Sequence, residues 1–369
     1  MKPMNIGIIG CGSISGIYLQ NLSGMFAHHV NVLAVSDLVP ERAQRAKDTL
    51  GGAPEILTLE QIAAHPDIQL VLNITEPYNH HHVSTTLLKG GKHVYSEKPL
   101  GISRAEGDDI LALAKKNGLR VGGAPDTFLG GGIQTCRKLI DEGWIGDILS
   151  AEAYMVCHGH ETWHPNPEFY YKRGGGPMFD MGPYYLSALI NLLGSIEAVS
   201  GITTKGFNQR RVTSKESYGQ IIDVDVPTHI AGLMRFASGA VGSLIMSFDI
   251  WNSQLPRIEV HGTKGSLYVP DPNTFGGPVL YSRPGDSYGK EVPLCYGYQD
   301  NSRGLGLCDM ACALAENRAA RASSDLTYHV LDAMQAFHES SDQRKEIRLG
   351  SSCARPAPLA MGLSDGEIR

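Results

Sequence analysis

The chain has 369 residues, which at roughly 150 residues per domain suggests two to three domains, with 42% hydrophobic and 19% charged residues. It has no low-complexity run, which excludes a disordered, collagenous or coiled-coil protein. The 32 Lys and Arg against 38 Asp and Glu leave a net charge of −6 without a basic block, so nucleic acid and anionic membrane surfaces are excluded as partners and a small neutral or weakly charged ligand is expected.

From residue 4 to about 125, short β-branched runs alternate with helical patterns, as in βαβ units around a parallel sheet. Strands are expected at 4–10, 31–36, 69–74, 93–96 and 119–123. Helices are expected at 13–24, from Pro40, after the capping box Thr58–Gln61, at 79–89, and from the capping box Ser103–Glu106 to Gly118. After about residue 126 the pattern changes. It reads as a helix at 130–142, a strand at 148–157, a helix at 183–193 and strands at 227–235, 239–249, 255–260 and 265–269. The alternation ASGAVGSLIMSF suggests a largely antiparallel sheet with one covered face. The stretch 270–300 reads as loop, two helices close the fold at about 304–318 and 324–339, and the last nineteen residues read as a tail. The expected organisation is a doubly wound α/β domain at 1–125, an α+β domain at 126–350 and a tail at 351–369.

No segment approaches the roughly eighteen apolar residues of a membrane span. The opening run enters its glycines without a small-residue cleavage site, so no signal peptide is expected. Seven cysteines without a Cys-x-x-Cys pair point to a reducing cytoplasm. Cys308 and Cys312 share a helical face and read as packing residues.

The glycines, 43 in all, are the compositional excess, and the first group is informative. Gly7-Ile-Ile-Gly10-Cys-Gly12-Ser-Ile-Ser15 lies between the first strand and the first helix, where a dinucleotide pyrophosphate is received. Gly10 suits the tight turn, and Gly12 lets phosphates approach the backbone. Ser13 and Ile14 lead into the helix N-terminus, whose N–H groups and dipole favour an anion. Ser15 replaces the third glycine of the fingerprint. Asp37 follows Gly12 by 25 residues at the end of the second strand, close to the spacing of an acid that binds the ribose diol. No Arg follows it directly, so NAD is expected over NADP.

The fourth strand ends in Tyr95-Ser-Glu97-Lys98-Pro99-Leu100, at the sheet edge where open α/β folds bind ligands. With Thr75-Glu-Pro77-Tyr-Asn-His80, GKHVYSEKPL at 91–100, GGGPMFDMGPYYL at 174–186 and HGTKGSLYVPDPN at 261–273, the sequence resembles the glucose-fructose oxidoreductase / inositol dehydrogenase (Gfo/Idh/MocA) family. The matching pieces run in family order across about the first 200 residues. The resemblance implies a Rossmann domain joined to an open-faced sheet domain, and NAD(P)-dependent oxidation or reduction of a sugar, cyclitol or similar polyol. It places Lys98 at the reacting hydroxyl and the nicotinamide ribose, and Glu97, Thr75, Pro77 and His80 on the cofactor side.

The family presents an Asp and a His four residues apart after a glycine run; here these positions hold Asp180 and Tyr184. A phenol, ordinarily with a pKa near 10, becomes a usable base only beside a cation, so Tyr184 with Lys98 is the first choice for proton acceptor. Pro183 confines Asp180 to the first helical turn or just outside it. His158, His160, Glu161 and His164 precede the glycine run. Substrate hydrogen bonding by His164 or His160 is preferred there to metal ligation, and no metal is expected. His80, His81 and His82 are adjacent on a helix and cannot converge on one ion. Asp126, Tyr170, Tyr171 and Asp309 sit at element ends, and Asp126 and Tyr171 are taken with Lys98, His164, Asp180 and Tyr184 as the substrate-side set.

The expected function is therefore an NAD-dependent sugar or polyol dehydrogenase. The alternatives are a glycoside hydrolase that retains NAD and acts by transient oxidation, and a non-catalytic NAD-binding regulator. The open sheet suggests a homodimer or homotetramer.

Overall fold

The computed structural model describes residues 2–369. Strands β1 (Met4–Ile9), β2 (Val30–Ser36), β3 (Glu55–Ile56), β4 (Leu70–Asn73), β5 (His93–Ser96) and β6 (Val121–Gly123) form a six-stranded sheet in the order β3-β2-β1-β4-β5-β6. Every pairing is parallel. The crossovers carry α1 (Ser15–Ser23), α2 (Pro40–Thr49), α3 (Leu59–Ala64), α4 (His80–Lys89) and α5 (Arg104–Lys116). The central strands are largely apolar and buried, as a parallel sheet covered on both faces requires. The Thr58–Gln61 capping box forms both of its hydrogen bonds. At Ser103 only half of the expected box is present, because the Glu106 carboxylate accepts from Ile102 N–H instead.

A second sheet of nine strands follows. Its members are β7 (Ile148–Val156), β8 (Ile196–Thr204), β11 (His229–Phe236), β12 (Val241–Ser247), β13 (Ile258–Gly262), β14 (Gly265–Val269), β15 (Val279–Ser282), β16 (Lys290–Val292) and β17 (Ile347–Arg348). A separate hairpin pairs β9 (Gln209–Arg211) with β10 (Ile221–Asp223). All pairs in the large sheet are antiparallel except β7 with β12. Besides α6 (Gly131–Asp141), the chain carries α7 (Gly176–Leu193), α8 (Leu305–Glu316) and α9 (Ser324–Gln343). α7 lies on β7, β12 and β11, and Phe337 of α9 packs on Gly201 and Gly232 of β8 and β11. On the other face Ile202 and Leu233 are exposed.

The chain divides into one unit of residues 1–131, 295–328 and 356–369, and another of 132–294 and 329–355. These bounds differ from the 1–125, 126–350 and 351–369 expected, because the closing segments return to the first unit. α8 joins it beside β6, where Gly122 bridges to Ser323. The final residues have no helix or strand but are anchored there. Arg321 donates to the carbonyls of Pro358 and Arg369, and Tyr298 donates its hydroxyl to Glu367 O. A tail whose carbonyls are bound one by one has no periodicity for sequence patterns to detect.

Other differences have similar causes. β15 and β16 lie in the expected loop at 270–300, and β8 escapes the sequence pattern because its outer half, SGITT, carries little alternation. α7 begins at Gly176 rather than at residue 183 and runs through Pro183, placing Asp180 in its second turn. Cys308 and Cys312 are buried on α8. Among the described residues no helix is long and apolar enough to cross a membrane.

Candidate functional site

The expected residues fall in both units, and each set is built within its own unit. In the first, Gly10 has φ +96°, and a Cβ there would lie 2.6 Å from Ile74 O, so only glycine permits this approach of the β1 and β4 ends. At Gly12 a Cβ would meet nothing within 4 Å, which leaves open space over the turn. Ser15 is buried and donates its hydroxyl to Gly12 O at 2.7 Å, filling the third glycine's place. Ser13 and Ile14 form the exposed rim of the turn. No side chain caps α1, and apart from Ser15 N–H, which turns back to Gly12 O at 3.1 Å, its leading N–H groups stay available to an anion.

Asp37 braces this turn. One carboxylate oxygen accepts from Cys11 N–H at 2.7 Å and the other from Val39 N–H at 2.8 Å. A carboxylate has about four acceptor positions, so two remain for a diol. Open space at Gly12, an uncapped helix start and a half-satisfied acid together fit a dinucleotide.

Glu97 and His80 bracket Lys98. Glu97 is buried; it accepts from the Tyr18 hydroxyl at 2.6 Å and from Lys98 N–H at 3.0 Å. Burial, reinforced by the Glu97 charge, holds the Tyr18 hydroxyl well above its usual range, so it stays a donor. His80 has no exposed surface; its ring nitrogens lie 2.7 Å from Pro99 O and 2.9 Å from Thr75 O. Burial lowers its pKa against these two carbonyls, which favour the protonated ring. His80, expected on the cofactor side, clamps the segments after β4 and β5. Thr75 is half-buried with its hydroxyl on Asn73 Oδ1 at 2.7 Å, and Pro77 opens a 3-10 turn. His81 turns away to Asp109, as adjacent helical residues must.

The structure places Asp126, expected on the substrate side, at the start of α8. It is buried and accepts at 2.9 Å from Gly304 N–H and at 3.0 Å from Gly306 N–H, capping α8. Burial pushes its pKa up to about 6 despite these donors. A helix opened by glycines has no capping side chain of its own, and that is the signal the sequence offers. Asp309 is buried too, bound by the Arg321 guanidinium at 2.5 Å.

In the second unit, α7 carries Asp180 and, one turn on, Tyr184; Tyr184 is buried. Asp180 Oδ2 lies 3.0 Å from His160 Nε2, with side-chain exposures of 13% and 11%. The approach of His160 to this acid is a contact that sequence spacing does not reveal. Tyr171 also departs from expectation. It is fully buried and donates its hydroxyl to Glu161. Arg210, itself buried, bridges Glu161 at 3.0 Å and Asp249, which further accepts from the Thr228 hydroxyl at 2.7 Å. Burial, with the hydrogen bond to Glu161, drives the Tyr171 pKa up, so this phenol is a fixed donor inside a network rather than a pocket wall. His164 is half-buried, and its Nδ1 accepts from Asn166 N–H at 3.1 Å. Tyr170 packs against His160, their ring centroids 4.3 Å apart. His158 stacks on Trp251 at 3.4 Å. Arg210 reaches both Glu161 and His158, and Tyr170 packs against both His160 and His164.

Comparison with known proteins agrees with this division. Residues 4–123 match the oxidoreductase family model with an NAD-binding Rossmann fold, and residues 133–268 match the GFO/IDH/MocA C-terminal domain. The chain is 25% identical over 266 residues to myo-inositol 2-dehydrogenase of Thermotoga maritima, covering 72% of this chain and 75% of that protein. It is 22% identical to scyllo-inositol 2-dehydrogenase (NADP(+)) of Bacillus subtilis, covering 95% and 97%. Among solved structures, levoglucosan dehydrogenase in its apo form shares the fold with a TM-score of 0.80 at 20% identity, over 96% of this chain and 100% of that one. The glycine turn braced by Asp37, the bracketed Lys98 and the two family matches lead to one assignment: the chain belongs to the Gfo/Idh/MocA family of NAD-binding oxidoreductases.

Proposed function

We propose that the protein is a dehydrogenase of a sugar, cyclitol or related polyol, with NAD as its hydride carrier. The observation that carries this reading is Lys98, held by Glu97 on one side and by the His80 clamp on the other, in the same unit as the dinucleotide turn. The named relatives support the substrate class: two are inositol dehydrogenases, and a third, from Pseudarthrobacter phenanthrenivorans, is a levoglucosan dehydrogenase. NAD is preferred to NADP because Asp37 would repel a 2′-phosphate and Leu38, Val39 and Pro40 offer no cation.

Bound NAD supplies the hydride acceptor. The Lys98 ammonium stabilises the developing alkoxide and lowers the pKa of the group that receives its proton. Tyr184, with a nearby histidine or Lys98 itself as the alternatives, is the proposed proton acceptor. The open sheet face with Ile202 and Leu233 is the surface we assign to a homodimer or homotetramer, readable by light scattering. Its seven free cysteines suit a reducing cytoplasm.

The test is a panel of aldoses, anhydrosugars and inositols assayed with NAD, following formation of the reduced nicotinamide. Saturable reduction with at least one polyol is expected. NAD binding with no turnover on any of them would favour the regulator instead, and glycoside cleavage without net reduction the hydrolase.

A further inference from the structure

We infer that Glu152, Glu259 and His261 form a binding site for a zinc-type divalent metal ion on the open face of the nine-stranded sheet. The site lies wholly within the second unit and is independent of the dehydrogenase reading. Glu152 belongs to β7, between Ala151 and Ala153, which have no exposed surface; Glu259 and His261 belong to β13, on either side of Val260, which also has none. Side chains alternate across a strand, so the three half-buried side chains stand together on the face away from these residues. The register continues from Glu152 through Ser243 of β12 to the exposed Leu233 of β11, which places the cluster on the uncovered face.

Strand pairing sets Glu152 directly opposite Glu259. Their partners on the outer sides are Ser243 of β12 and Tyr268 of β14, so no lysine or arginine stands directly opposite either carboxylate. Like charges in that relation cost stability unless a cation lies between them. His261 leans in, with Nε2 2.9 Å from Glu152 Oε2 and 3.3 Å from Glu259 Oε2. A protonated ring acting alone as the cation would aim its N–H at the nearer oxygen. Glu152 Oε2 is instead buried and accepts no hydrogen bond, so its short approach to Nε2 lacks the alignment of a hydrogen-bonded pair. Ligands of one metal are related in this way: with bonds of about 2.0–2.2 Å, neighbouring ligand atoms stand about 2.9–3.4 Å apart, and each lone pair points at the ion rather than at its neighbour.

The surrounding groups suit the same ion. His261 Nδ1 lies 2.7 Å from Ser266 Oγ, so the ring proton is held there and the Nε2 lone pair is left for a metal. Ser150 donates to Glu152 Oε1 at 3.2 Å, leaving Oε2 as the ligand atom. Two carboxylates and a neutral imidazole balance a dication, and a nitrogen among the donors suits zinc rather than magnesium or calcium, which take oxygen. The side chains keep 24–34% exposure, so water completes the coordination. Held there, the ion ties β7 to β13 in the middle of the sheet.

The test is calorimetric titration of zinc into the full chain after chelator treatment, with thermal unfolding alongside. Wild type should bind one zinc ion that His261→Ala and Glu152→Gln each weaken by more than about 100-fold, since losing a ligand costs more than losing an outer partner. Zinc at about a hundredfold excess over its Kd should raise the wild-type Tm by about 3 °C or more and leave both variants unmoved. Without metal, Glu152→Gln should unfold at or above the wild-type Tm, because it removes one of two facing charges, and Glu259→Gln repeats the comparison from the other strand. X-ray absorption of the loaded protein should show nitrogen and oxygen ligands at about 2.0–2.2 Å. A sulfur ligand, no zinc bound by wild type at about 0.1 mM, or binding that survives either His261→Ala or Glu152→Gln, overturns the site.

Discussion

In the first unit the polar side chains that shape the site act on the backbone, whereas in the second they act mainly on one another. Asp37 binds two N–H groups, Glu97 binds Lys98 N–H, His80 bridges two carbonyls and Asp126 caps α8. In the second unit His160 meets Asp180, Tyr171 meets Glu161, and Arg210 joins Glu161 to Asp249. A backbone-braced site depends on glycines and turns at fixed spacing, so its residues are hard to exchange. A side-chain network is held by contacts between residues far apart in sequence, as the pairing of His160 with Asp180 shows.

Four substitutions press on this contrast, in order of expected effect. Lys98→Ala should reduce kcat by about 10³-fold or more while NAD affinity, measured by fluorescence titration, changes little, because the backbone mould survives without the ammonium. Loss of NAD binding in step with kcat would show that Lys98 belongs to the mould instead. Arg210→Met should destabilise the protein by about 3–5 kcal/mol in urea unfolding, because it strands the buried Glu161 carboxylate and the half-buried Asp249 carboxylate without their cation. A cost under about 1 kcal/mol would mean that the second unit does not depend on its network.

Asp126→Asn probes the backbone side through pH. The Asp126 pKa is raised from 3.8 to about 6, so the folded state binds its proton more tightly than the unfolded chain. Its contribution to stability is thus greatest below pH ~4 and is lost as pH rises through about 6, at about 1.4 kcal/mol for each tenfold difference in proton affinity between the folded and unfolded states. The difference between wild type and Asp126→Asn should change over that window, and a flat difference would mean that the carboxyl ionises as freely as in water. Asp37→Ser should have the smallest effect, weakening NAD binding about tenfold and moving preference towards NADP. Unchanged binding would remove Asp37 from the cofactor site and leave it only as a brace for the turn.

The first unit is the more legible in sequence for the same reason. Gly10, Gly12, Asp37 and the Glu97-Lys98-Pro99 segment lie at turn and strand ends whose spacing follows from βαβ geometry, and of the six parallel strands only the two-residue β3 leaves no pattern to read. His80 can be assigned to the right neighbourhood but not to its clamp, since the carbonyls of Thr75 and Pro99 come together only when β4 and β5 pair. Asp126 and Tyr171 read as pocket residues because a polar residue at an element end looks the same whether it faces a ligand or a buried partner. Burial separates the two cases.

Local pattern thus decided the strand–helix alternation, the dinucleotide turn and the family. These are encoded in neighbours within about thirty residues, where backbone sterics and hydrophobic period act directly. The return of α8 and the last residues to the first unit, the caps on α8 and the pairing of His160 with Asp180 join residues 20 to 337 positions apart. Such contacts gain their energy only once the sheets have formed and excluded water, so packing, not sequence period, selects them.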